Sequence, residues 1–163
     1  SGALFNPVVS LSVAGGQLAW GEAVAYLVVQ VLGAFVGVAA AHGMFEIPLA
    51  ASTHVRAGGA QAFSESVATF GLLLTIRGVG RYHPDRVPSA VAAYIVGAYW
   101  ATASTCFANP AVTMARSVTD TFTGIRPYDA PVFVLAQLGG LVAAVVVGRR
   151  LFDDPAEGSR ACP

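Results

Sequence analysis

Cys106-Phe107-Ala108-Asn109-Pro110-Ala111-Val112-Thr113 decides the fold, because Ala3-Leu4-Phe5-Asn6-Pro7-Val8-Val9-Ser10 repeats it near the other end of the chain. Aligned on Asn-Pro, Val9 falls on Val112, the hydroxyls of Ser10 and Thr113 coincide, and Leu11 meets Met114. Asn caps a helix well, and Pro at the first helical position gives up no N–H that the helix needs. Each copy therefore predicts a helix start. The first helix is expected over residues 6–14, ahead of the Gly15-Gly16 pair that suits a helix end, and the second over residues 109–119. Crossing the bilayer takes about 20 residues, so both are half-helices.

Composition says where they sit. With 55% hydrophobic and only 11% charged residues among 163, the chain is too apolar for an ordinary soluble domain and reads as an all-α membrane protein in a lipid bilayer. The basic residues are all arginine and the net charge is zero, so no basic face for nucleic acid is expected. Cys106 and Cys162 give neither a disulfide framework nor a metal-ligand spacing. His42, His54 and His83 are scattered over a helix end and two loops, which excludes a metal site, and no nucleophile has a base nearby in sequence. No enzyme, metal or cofactor is expected.

Apolar stretches predict spans at about 20–42, 60–77, 88–104 and 130–150, making one domain over residues 1–152 with a polar tail at 153–163. Two polar residues inside the spans, Gln30 and Glu65, are expected to face protein and to serve as buried structural hydrogen-bonding groups. Gly33 and Gly37 form a small-xxx-small face that permits close helix approach. Residues 87–115 carry no charge, so the second Asn-Pro motif begins at membrane depth. Arg77, Arg81 and Arg86 fall on the same side as Arg149-Arg150, which the positive-inside rule makes cytoplasmic. The half-helices then enter from opposite faces, an inverted repeat with broken helices meeting at the midplane. Irregular backbone before each, residues 2–5 and 105–108, is tolerable there only if buried or lining a wet path. Two helix ends of about half a positive charge each, with the Asn6 and Asn109 amides, would orient a dipole and repel cations. The arrangement describes a pore for small neutral solutes.

Asn6-Pro7-Val8 and Asn109-Pro110-Ala111, with Gln30-Val31-Leu32-Gly33-Ala34 and Glu65 around them, resemble the aquaporin, or major intrinsic protein, family over almost the whole chain. The resemblance implies an aquaporin-like channel of six helices, a homotetramer when complete, with the first two spanning helices absent from this sequence. It also implies a multi-pass protein of the bacterial plasma (inner) membrane.

Departures from the family pattern bear on selectivity. The family usually has an arginine after the second Asn-Pro-Ala, and here Val112 stands there. Gly97, twelve residues before Asn109, replaces the histidine of strict water channels, similar to the glycerol-conducting branch. Cys106 takes the third filter position, as a pore-facing thiol or a small packing residue. Leu4 stands where histidine is common. Filters with valine in place of the arginine are similar to those of a bacterial subgroup associated with arsenic resistance. The resemblance thus implies a wide, uncharged filter passing water, glycerol and arsenite or other neutral metalloid acids. The alternatives are a water-selective pore and a truncated, non-conducting fragment. Arg116, one turn beyond Val112, is expected either to form a displaced positive rim of the outer vestibule or to pair with Asp120 at i,i+4 or snorkel to the interface.

Overall fold

The computed structural model describes residues 4–152; the expected tail at 153–163, and Gly2 and Ala3 of the first irregular stretch, lie outside the described residues. Asn6 stays extended (φ −141°, ψ 119°) while its side-chain oxygen accepts the Val8 N–H, and Pro7 begins helix α1, Pro7–Val13. Ala14 leaves the helix at ψ 143°, and Gly15 turns the chain at φ +77°, where a side chain would be strained. The second copy repeats the opening. Asn109 is extended (φ −156°, ψ 110°), caps the Ala111 and Val112 N–H groups, and starts α5, Pro110–Ala115. This helix tightens into a 3-10 turn at Arg116–Val118.

Between and after them stand α2 (Trp20–Met44), α3 (Gly59–Tyr82), α4 (Val87–Ala101) and α6 (Ala130–Phe152). Among the described residues α2, α3 and α6 are long and apolar enough to cross a membrane. The third expected span, 88–104, ends early. Helix α4 has 15 residues, about 22 Å at the usual rise, because Thr102 turns extended (ψ 139°) and its hydroxyl folds back onto the Ala98 carbonyl at 2.7 Å. The chain thus leaves helix early to feed the second Asn-Pro motif.

The tightest helix contact is α3 against α6. A Cβ added at Gly140 would stand 2.5 Å from the Ser66 carbonyl oxygen and 3.0 Å from Thr69 Cβ, so only glycine lets the two backbones approach this closely. Ser66 Oγ also donates to the Ala136 carbonyl across this seam at 2.9 Å. Helix α4 joins α3 through the Tyr94 hydroxyl, which donates to the Ala68 carbonyl at 2.9 Å beside Gly71. The close approach that Gly33 and Gly37 permit is not made among the described residues: a Cβ at either would meet nothing within 4 Å. Helix α2 packs against α1 and α5 and buries only Ala23 and His42, leaving Val24, Val28, Leu32 and Val36 exposed as an apolar face suited to lipid or to other helices.

The two half-helices end at opposite ends of the bundle. Beyond α1, Ser12 to Gln17 line a cavity of about 1020 Å³ with Arg77, Arg81 and Arg149, at the C-terminal ends of α3 and α6. Beyond α5, Ser117 and Val118 accept backbone hydrogen bonds from Ser52 (2.9 Å) and Ala50 (3.3 Å), in the connection that leads into the N-terminal end of α3.

Candidate functional site

The half-helices meet through their asparagines. Asn6 Nδ2 donates to the Ala108 carbonyl at 2.7 Å, and Asn109 Nδ2 donates to the Phe5 carbonyl at 3.0 Å. Each amide therefore spends its oxygen on its own helix and its nitrogen on the other copy's loop. Both asparagines are buried, as are Pro7, Val8, Pro110 and Ala111. The symmetry extends a shell outward. Ser10 Oγ donates to the Asn6 carbonyl (3.3 Å) and accepts from Gln30 Nε2 (2.8 Å). Thr113 Oγ1 donates to the Asn109 carbonyl (2.9 Å) and accepts from Gln137 Nε2 (2.8 Å). Gln30 Nε2 also reaches the Leu4 carbonyl at 2.9 Å.

The loop before α5 is held in an unusual shape. Thr105, Cys106 and Ala108 have φ of 58°, 48° and 45°, a left-handed region that costs a residue with a side chain about 1 kcal/mol or more. Glu65, fully buried on α3, restrains it by accepting from the Phe107 N–H (3.3 Å) and the Ala108 N–H, while Gln137 Nε2 donates to the same carboxylate at 2.7 Å. Ser64 Oγ accepts the Ser104 N–H at 3.1 Å. Twisting the backbone this way frees the Ala108 carbonyl for Asn6. In the loops that brace α5 from outside, hydrogen bonds from Thr53 hold the Asp120 carboxyl below the ordinary carboxylate range, and one from Arg126 does the same for Asp129.

The family described as Major intrinsic protein matches residues 1–103. The chain belongs to the major intrinsic protein family. It is also similar to aquaglyceroporin AqpS of Rhizobium meliloti (strain 1021), with 54% identity over 155 residues that cover 94% of this chain and 66% of that relative. The chain thus spans just under two-thirds of that relative's length. No solved structure matches it. As a family member with long apolar helices it is a multi-pass membrane protein.

Within this major intrinsic protein the three residues expected at the filter are set differently from one another. Gly97 is exposed on α4, with open space where a Cβ would stand. Val112 is half-buried on the first turn of α5. Cys106 is buried, packed with Ala68, Leu72, Ala98 and Ala108, so its thiol lies against α3 and α4 with little exposed surface. Arg116 does not pair with Asp120. The helix ends at Ala115 and Thr119 is extended, which breaks the i,i+4 register, and Asp120 instead accepts from Thr53 N (2.8 Å) and Oγ1 (3.0 Å). The Arg116 guanidinium lies 4.2 Å from the centre of the Phe107 ring.

Gln137, Phe107 and Arg56 belong to this site and were not singled out in the sequence. Gln137 had a signal, being a lone polar residue inside a span as Gln30 is. Arg56 had none, since its partners Gly124, Ser104, Thr105 and Phe122 are distant in sequence.

Proposed function

We propose that the protein is a passive transmembrane channel for water and small neutral solutes, admitting glycerol and neutral metalloid acids such as arsenite through a wide, uncharged filter. The observation that carries the reading is the reciprocal clasp of Asn6 and Asn109, which seats two half-helix N-termini together with no charged side chain on either motif. Helix ends of about half a positive charge each favour a passing hydroxyl dipole over a cation. Gly97 leaves room, Val112 adds no charge, and the Cys106 thiol is packed away against α3 and α4, so a polyol-sized solute meets width rather than a cationic constriction. The name of the similar relative, an aquaglyceroporin, supports the same solute class. A homotetramer in the bilayer is the assembly proposed for the full-length protein, with the exposed apolar face of α2 available to lipid and neighbouring subunits.

The test is stopped-flow light scattering on proteoliposomes of the full-length protein and its Val112→Arg variant, challenged with glycerol and then arsenite. Rapid uptake of both solutes that the arginine abolishes, with water flow retained, is the expected result. Water flow without solute uptake in the parent protein would return it to a water-selective pore, and no flow of either would leave a non-conducting protein.

A further inference from the structure

Resting on the channel reading, the structure carries a second point about charge at the outer mouth. Val112 adds no cation to the motif, yet the guanidinium of Arg116, one turn beyond it, shares one aromatic ring with that of Arg56. Arg116 follows Val112 by one turn, its backbone N–H bonded to the Val112 carbonyl, and its guanidinium carbon is 4.2 Å from the Phe107 centroid. Arg56 arrives from the connection between α2 and α3, and its guanidinium carbon is 4.9 Å from the same centroid. Phe107 is itself fixed, edge-on to Phe133 at 5.4 Å and 4% exposed.

Arg56 is built in. It is 8% exposed, with Nε on the Gly124 carbonyl (2.8 Å), Nη2 on the Phe122 carbonyl (3.1 Å) and Nη1 on Thr105 Oγ1 (3.2 Å) and the Ser104 carbonyl (3.5 Å). Its side chain is held by neutral oxygens, and Asp129 meets only its backbone N–H at 3.0 Å. Arg116 has no carboxylate partner among the described residues. Among the described residues no carboxylate pairs with either guanidinium, and the buried Glu65 is spent on the Phe107 and Ala108 N–H groups and on Gln137, so the two arginines stay cationic. A cation stacked on an aromatic face is attracted to it without being neutralised.

We propose that Arg56 and Arg116, stacked on Phe107, form the cation barrier of the outer vestibule, excluding protons and alkali cations where the filter position itself is uncharged. Charge and width are thereby separated: the barrier acts through its field from the wall, and the passage at Val112 stays open to polyols. A like charge near a low-dielectric path lowers local cation concentration by about tenfold or more, which sets the size of the effect to look for.

The experiment uses the full-length protein in proteoliposomes, reading potassium and proton leak beside glycerol uptake for the parent, Arg116→Gln, Arg116→Lys and Arg56→Lys. Arg116→Gln is the informative variant, because among the described residues the Arg116 guanidinium makes the ring contact and no hydrogen bond or ion pair that its removal would loosen. Glycerol uptake shows that each variant is folded and open. The expected result is a cation leak raised about tenfold in Arg116→Gln and close to the parent's in both lysine variants. An unchanged leak in a glycerol-permeable Arg116→Gln overturns the proposal, and so does loss of glycerol uptake in that variant, which would make Arg116 part of the solute path. A parent protein that passes neither water nor glycerol fails at the channel reading itself, before any arginine is changed.

Discussion

Asn6 Nδ2 donates to the backbone carbonyl of Ala108 at 2.7 Å, joining residues 102 positions apart, and Asn109 returns the bond to Phe5 at 3.0 Å. Each asparagine caps its own helix and donates to a carbonyl of the other copy, buried at Ala108 and part-buried at Phe5. Asn109→Ala removes a cap, a loss of about 1 kcal/mol, and the donor to the part-buried Phe5 carbonyl, a loss of about 0.5–1.5 kcal/mol more. Asn109→Asp keeps the capping oxygen but turns the donor toward Phe5 into an acceptor. Denaturant unfolding in detergent is expected to show both variants destabilised. A neutral Asn109→Asp would mean the clasp contributes nothing beyond the cap.

Glu65 is the restraint on the left-handed loop. It accepts from Phe107 N–H, Ala108 N–H and Gln137 Nε2 with no exposed surface. Glu65→Leu leaves three buried donors unsatisfied and is expected to cost about 3–5 kcal/mol or to prevent folding. Glu65→Gln retains one acceptor oxygen and is expected to fall between this and the parent. A thermal-shift series in detergent ranks the three proteins, and equal melting temperatures for the parent and Glu65→Leu would remove the loop-restraint account.

The two half-helices and the order of the long helices were legible because each has a local cause, an Asn-Pro cap or an apolar run; of the two polar residues inside the spans, Glu65 is fully buried and Gln30 half-buried. What was illegible depends on contacts between distant segments. Arg116 and Asp120 stand at helical spacing, but the helix stops between them, and Thr53 takes the carboxylate. Arg56 reads as a loop cation until Gly124, Phe122 and Thr105 are folded around it. Small-residue spacing likewise marks a face that can be approached, without saying by what: Gly140 meets α3, whereas Gly33 and Gly37 face open space beside the described residues.

Gly140 and Gly33 make a direct contrast. A methyl group at Gly140 would collide with the Ser66 carbonyl and Thr69, whereas one at Gly33 meets open space. Gly140→Ala is expected to cost about 1–3 kcal/mol through overpacking between α3 and α6. Gly33→Ala is expected to leave the stability of the isolated subunit unchanged or slightly raised, since alanine is the better helix former. Comparing melting temperatures in monomer-stabilising detergent tests the pair. If Gly33→Ala is neutral there but destabilises a reconstituted oligomer, this face is a subunit contact.

Asp129 ties pH to stability outside the membrane. It accepts from Arg126 at 2.9 Å and from the Arg56 N–H at 3.0 Å. The Arg126 hydrogen bond, helped by Arg56 and opposed by burial, holds its carboxyl below the ordinary value. A carboxyl whose pKa is depressed on folding contributes stability that is fully present above its unfolded value, about 3.9, and is lost as pH falls through the lower folded value. Asp129→Asn is therefore expected to melt below the parent at neutral pH, with the gap closing as pH drops from about 5 through the folded pKa. Asp129→Asn made in an Arg126→Gln background, where the first cause of the shift is weakened, is expected to show a smaller gap that closes at a less acid pH. Melting curves from pH 7 to the acid limit of the detergent-solubilised protein decide it: a gap that stays constant with pH would assign Asp129 a packing role, independent of its charge.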